Sequence, residues 1–134
     1  MNKWPISVIS SKFGPRKPII TPLGETTDFH NGIDIVASVW TPILPWRHGV
    51  VEWVSDKGGL GNHILIRHDN NYHSLYAHLH QLTSWEVGDR IPGSKSDWVG
   101  YVGESGKALG AHLHFEIWHY RRAIDPLPFF EGFV

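Results

Sequence analysis

His112 and His114 stand one residue apart in Ala111-His112-Leu113-His114-Phe115-Glu116-Ile117-Trp118, a segment that alternates polar and apolar side chains. Extended backbone turns alternate residues to opposite faces, so His112, His114 and Glu116 share one face and Leu113, Phe115 and Ile117 the other. One face is core; the other holds two imidazoles on a stiff strand, a pair of nitrogens for a metal or a substrate. A second cluster, Phe29-His30-Asn31-Gly32-Ile33-Asp34-Ile35, sets His30 and Asp34 four residues apart where a β-branched run begins. Gly32 permits a turn or a close backbone approach between them, so both side chains can converge on one ion. A third, Tyr76-Ala77-His78-Leu79, puts His78 at the end of a strand. Strict alternation there places Ser74, Tyr76 and His78 on one face, opposite Leu75, Ala77 and Leu79.

The chain has no cysteine, so any transition metal must be held by histidine and carboxylate. A catalytic zinc takes three protein ligands and leaves its fourth position to water, and imidazoles with one carboxylate meet that demand. Such a site carries net positive charge, which acidifies the water toward a pKa of about 7 and polarises a peptide carbonyl. Spare histidines nearby can take a proton or steady a developing oxyanion. The other histidines, His48, His63, His68, His73, His80 and His119, are assigned to strand surfaces and turns, with His80 the one able to reach a groove. Trp40 and Trp46 are candidate walls of a cleft.

These groups need a rigid frame, and the pattern around them is that of an all-β domain. Glycine and proline punctuate the chain every few residues, and between them lie short stretches rich in Val, Ile, Trp, Tyr and Phe. Strands are expected near Ile6–Ser10, Ile33–Val36, Val50–Ser55, His63–His68, His73–Leu79, Trp98–Val102 and His112–Trp118. Asp56-Lys57-Gly58-Gly59 and Asp69-Asn70-Asn71 read as hairpin turns, which makes the flanking strands antiparallel. Gly88-Asp89 and Pro92–Asp97 read as surface connections.

With 134 residues the chain suits a single domain, 1–134, and 41% apolar residues, with seven Trp, suffice for a core. Twelve basic and thirteen acidic residues are scattered, for a net charge of −1, which offers no footprint for nucleic acid. No stretch approaches the roughly 20 apolar residues that cross a bilayer. Met1–Ser11 lacks the unbroken apolar run of a secretory signal, so no signal peptide and no membrane insertion are expected.

From about Ser11 to Phe129 the chain resembles the LytM/lysostaphin family of zinc peptidoglycan endopeptidases. The resemblance rests on elements in order: Ser11-Lys12-Phe13-Gly14-Pro15-Arg16, Phe29-His30-Asn31-Gly32-Ile33-Asp34, Thr41-Pro42-Ile43, Gly49-Val50-Val51 and Gly61-Asn62-His63-Ile64-Leu65-Ile66. Tyr76-Ala77-His78-Leu79, Val102-Gly103 and Gly110-Ala111-His112-Leu113-His114-Phe115-Glu116 complete it. It implies an antiparallel β domain of the duplicated hybrid motif type with an open groove, and one zinc per chain held by His30, Asp34 and His114. His78 and His112 become the catalytic pair that activates water or steadies the tetrahedral intermediate. The implied substrate is the peptide portion of bacterial peptidoglycan, cut by a monomer. That substrate lies outside the membrane, so a bacteriolytic phage lysin freed by membrane breach, or a piece cut from a larger secreted protein, is expected.

Departures from the family pattern are Pro45 for an alanine, Ala108-Leu109-Gly110-Ala111 for Ser-Thr-Gly-Pro, and Glu104-Ser105 for Asn-Thr. They flank the groove and bear on substrate preference. Gly106, five residues and His112-x-His114 also match the first half of the cupin metal motif, but its second half fails because Glu116 follows after a single residue. A catalytically inactive relative that binds wall fragments or regulates another hydrolase is the alternative, and it would hold no stoichiometric zinc.

Overall fold

Stretches rich in aliphatic and aromatic residues build the long strands, alternating with polar ones along His112–His119, and two-residue pairings finish the frame. The computed structural model describes residues 8–94 and 97–129, so Ile6 and Ser7 of the first expected strand, and Lys95 and Ser96 of the expected connection, lie outside the described residues. The chain runs through β1 (Ile9–Ser11), β2 (Gly14–Pro15), β3 (Ile20–Thr21), β4 (Gly24–Glu25), β5 (Phe29–His30), β6 (Ile33–Val36) and β7 (Pro42–Ile43). The long strands β8 (Gly49–Ser55), β9 (Asn62–Arg67) and β10 (Tyr72–Leu79) follow. Then come β11 (Arg90–Ile91), β12 (Gly100–Tyr101), β13 (His112–His119), β14 (Arg122–Ile124) and a 3-10 turn at Leu127–Phe129.

An eight-stranded sheet in the order β1-β6-β13-β10-β9-β8-β11, with β14 continuing on β13, carries the site. Each of its pairings is antiparallel, so the all-β antiparallel expectation holds. Three two-stranded ribbons, β12-β7, β2-β5 and β3-β4, complete the fold. Both expected hairpins form. Asn70 and Asn71 take φ of 59° and 64° between β9 and β10, which side chains of this type tolerate. Of the two-residue strands, β12 is the shortened core of the expected Trp98–Val102 strand; the others were not expected because so short a segment shows no period, and partners define them, as β8 defines β11.

Leu113, Phe115 and Ile117 of β13 are wholly buried with Ile33 and Ile35 of β6, as alternation requires. On β10 the expectation needs correction. Ser74 and Tyr76 face the core, where the Tyr76 ring meets Phe115 at 5.2 Å, and His78 does not follow them. The register on β9 shifts between Tyr76 and Leu79, and His78 takes a φ of 60° with its N–H on the Leu60 carbonyl (2.9 Å). That bulge turns the imidazole off the core face and toward β13.

The default assignment of histidines to surfaces also fails for three of them: His63, His68 and His73 are buried, each with a hydrogen-bond partner. Trp46 walls no cleft. It lies in the core, its ring edge-on to His68 and Phe129 and its backbone N–H donating to the Tyr76 hydroxyl (2.7 Å).

Burial of His68, joined to the His48 carbonyl (2.7 Å) and Ser74 Oγ (2.7 Å), pushes its pKa down to about 4. The unfolded chain binds the proton first, so stability is whole above pH 6.5 and falls as pH drops toward 4. The difference amounts to about 3 kcal/mol. Denaturant unfolding at pH 7, 5.5 and 4 should show a drop that is shallower in His68→Gln; equal slopes in the two proteins would refute it.

Candidate metal centre

His30 ends β5 and Asp34 is the second residue of β6, with a bend over Asn31 and Gly32 between them. A β-carbon on Gly32 would stand 2.2 Å from the Phe115 carbonyl oxygen, so only glycine lets β6 start this close to β13. In the β6–β13 register Asp34 lies opposite His114, which puts carboxylate and imidazole on one face. His30 Nε2, Asp34 Oδ1 and His114 Nδ1 then form a triangle with edges of 3.0, 3.1 and 3.2 Å.

Partners on the far ring nitrogens set the tautomers. His30 Nδ1–H donates to the Lys12 carbonyl (2.9 Å), with Ser11 Oγ 3.1 Å away, and His114 Nε2–H donates to Glu116 Oε2 (2.6 Å). At most one proton fits inside the triangle, on His114, and the His30–Asp34 edge then remains lone pair against lone pair. A divalent cation satisfies all three atoms, and two imidazoles with a carboxylate are a zinc donor set.

The same chemistry shows in the charges. Burial alone would push His114 down, but Asp34 and Glu116 on its two nitrogens outweigh it and hold it up at about 9. Burial likewise opposes ionisation of Asp34, yet its contacts with His114 and His30 keep it well below the usual carboxylate range. The cluster thus holds a positive charge among its acceptors, a place that a metal ion takes over with two charges.

Beside the triangle stand two more imidazoles. The His78 ring lies 4.8 Å from that of His112 and 5.8 Å from that of His114. His78 Nδ1–H donates to the Ser105 carbonyl (2.7 Å) and His112 Nδ1–H to the Gly110 carbonyl (2.8 Å), leaving Nε2 of each as a base. Burial, with His114 and His112 beside it, pushes His78 down to about 4 despite the Ser105 carbonyl and Asp34. All five residues line an open cavity of about 310 Å³, together with Arg16, Phe29, Lys107 and Leu109. Lys107 ties its loops together, N–H to the Gly59 carbonyl (2.7 Å) and Nζ to the Glu25 carbonyl (3.0 Å).

A family model described as peptidase family M23 matches residues 28–126, from just before His30 to beyond Glu116. The chain belongs to peptidase family M23. It is 36% identical over 119 residues to the DD-carboxypeptidase/endopeptidase Mpg of Neisseria meningitidis, a match covering 89% of this chain and 26% of that protein. A zinc-containing peptidase from Vibrio cholerae superposes with a TM-score of 0.75 at 27% identity, over 90% of this chain and 36% of that one. The catalytic domain of the antimicrobial peptidase lysostaphin from Staphylococcus simulans does so with 0.75 at 26% identity, over 93% and 92% of the two chains. The chain spans about a quarter of the length of the curated relatives it matches. Its zinc site, His30, Asp34 and His114, is the one typical of M23 peptidases.

Within this M23 frame the structure gathers all five residues expected from sequence around one cavity and leaves others out. His80 does not line it; its ring packs on Trp40 at 4.1 Å. Sequence reasoning missed the groups that aim the rings, Ser11, the Lys12 carbonyl and Ser105. Ser105, the Glu104-Ser105 departure, accepts the Asn62 N–H (3.0 Å) and donates to the Leu79 carbonyl (2.7 Å), so it holds the bulge at His78. Glu116 was legible by alternation as a neighbour of both histidines, though its hold on His114 Nε2 was not.

Proposed function

We propose that this chain is a zinc-dependent endopeptidase that hydrolyses peptide bonds in bacterial peptidoglycan, acting as a monomer. The observation that carries the reading is the three-ligand triangle on an open cavity with two imidazoles beside it, each turned by a carbonyl on its Nδ1. When bound, zinc supplies Lewis acidity, which lowers the pKa of water and polarises a carbonyl.

The chain's own residues do the rest. With Nδ1 of each ring held by a carbonyl, His78 and His112 both turn Nε2 to the cavity, so either can take the proton of an attacking water. The ring that has taken it becomes a donor, able to protonate the leaving amine or to steady negative charge on the former carbonyl oxygen. Carbonyls of Ser105 and Gly110 fix both rings, so no reorientation is needed between the two tasks. Arg16 and Lys107 line the cavity as cations and suit a peptide bearing carboxylates.

The name of the Neisseria relative supports a D,D bond, the direct cross-link, over a glycine bridge. A phage-type lysin that meets the wall after membrane breach is the setting we favour. Purified peptidoglycans with direct or glycine cross-links should be digested and the fragments weighed by mass spectrometry. Cleavage of the direct cross-link that EDTA stops and zinc restores is expected; zinc-loaded protein that releases no fragment from either wall would overturn the endopeptidase reading, and protein that takes up no stoichiometric zinc and releases none would point to an inactive binding relative.

A further inference from the structure

Outside the metal cavity, the feature that packing leaves unexplained is an aromatic surface centred on Trp40. This residue takes a φ of 74°, a left-handed conformation that an indole-bearing residue rarely adopts, with its backbone N–H on the Val102 carbonyl (2.9 Å). Such strain persists where the surrounding structure imposes it, and it gathers at binding sites. Here it presents rather than buries the ring: Trp40 is 53% exposed, lying on His80 (4.1 Å) and Tyr101 (5.4 Å). Tyr101 in turn meets Trp98 (6.0 Å), itself 45% exposed. Trp98 and Tyr101 open onto a second cavity of about 210 Å³, lined also by Trp85, Gln81, Thr83 and Ser84.

Charge narrows the occupant. Among the described residues, no Asp, Glu, Lys or Arg lines this second cavity, and its lining favours a neutral occupant. Flat π faces beside neutral amide and hydroxyl groups suit a neutral, hydroxyl-rich ring: one face of a pyranose is a patch of polarised C–H bonds that settles on the electron-rich face of an indole. The place narrows it further. His80 is two residues beyond His78, and Gly103, bridged to His112, lies so close to His80 that a β-carbon there would stand 2.3 Å from its Cα. The shelf therefore shares its backbone with the wall of the metal cavity.

We propose that the Trp40–His80–Tyr101–Trp98 shelf binds saccharide, and holds the glycan strand whose attached peptides enter the metal cavity. The assignment rests on the peptidoglycan reading above, and its test is separable from that reading. Zinc-loaded protein is titrated with β-1,4-linked N-acetylglucosamine oligomers that carry no peptide, followed by tryptophan fluorescence and by indole N–H resonances. Saturable binding is expected, weakened about tenfold in Trp40→Ala. Trp98→Ala, which alters no strained position, should weaken it similarly, and thermal unfolding of both variants checks that they fold. Against intact sacculi both variants should release fragments about tenfold more slowly, while a glycan-free cross-linked peptide is cut at the parent rate. Absent or unchanged oligosaccharide binding overturns the proposal. So does an equal loss on the glycan-free peptide, which would make the shelf part of the peptide groove, or a parent protein that sediments as a dimer dissolved by Trp40→Ala. If the parent cuts neither substrate, the peptidase reading fails while the oligosaccharide titration still decides the shelf.

Discussion

Replacing His30, Asp34 or His114 by alanine is expected to leave a folded chain that retains far less than one zinc and releases no peptide from peptidoglycan. Their three donor atoms lie within 3.2 Å of one another, so each contributes a separate bond to one ion. Zinc sites with four protein ligands bind with about 10–16 kcal/mol, or about 3 kcal/mol per ligand, so one lost ligand weakens binding by at least about 100-fold. Glu116→Gln is the graded control. It keeps all three ligands but removes the charge on His114 Nε2, and the expected loss of metal affinity is about 10- to 100-fold. Metal content by mass spectrometry and competition with a chelator measure both effects. Full turnover by a ligand variant shown to be zinc-free would sink the assignment.

His78→Ala and His112→Ala should behave in the opposite way, keeping one zinc per chain while kcat falls by about 10²- to 10⁴-fold. Neither ring supplies an edge of the metal triangle. His78 stands 5.8 Å from His114 by ring centroid, and His112 Nε2 is 3.6 Å from Asp34 Oδ1. The double variant should be little worse than the worse single one, because the two rings serve a single proton transfer and act as a unit. Zinc analysis of the purified variants and initial rates on a soluble cross-linked peptide decide it. Loss of zinc from His78→Ala, or a rate within threefold of the parent, would remove that residue from the catalytic role.

How much of this was legible before folding differs from residue to residue. The two faces of β13 were, because side-chain alternation is a property of extended backbone and needs no partner: Leu113, Phe115 and Ile117 are buried in the core, and His112 and His114 face the metal cavity. The hairpin at Asn70-Asn71 was legible for the same reason, since its geometry is local. His78 was not. Alternation along β10 would have sent it into the core beside Tyr76, and only a bulge, pinned by the Leu60 carbonyl and by Ser105, swings it to the cavity. The buried His63, His68 and His73 were missed because composition cannot show that a carbonyl, a serine or a carboxylate waits for each inside.

Residue types and local spacing by themselves determined that the chain is antiparallel β and that imidazole and carboxylate, never thiolate, must bind its metal. Tertiary structure alone decided which of ten histidines meet. Asp34 reaches His114 across 80 residues because β6 pairs with β13 in one register, and a slip of one residue would turn the carboxylate to the core. Register depends on contacts between distant strands and on whether glycine lets them approach. The tautomer of each ring depends on a carbonyl or carboxylate supplied from elsewhere in the fold. Neither is a property of a short stretch of chain, which is why spacing could nominate the ligands and only packing could aim them.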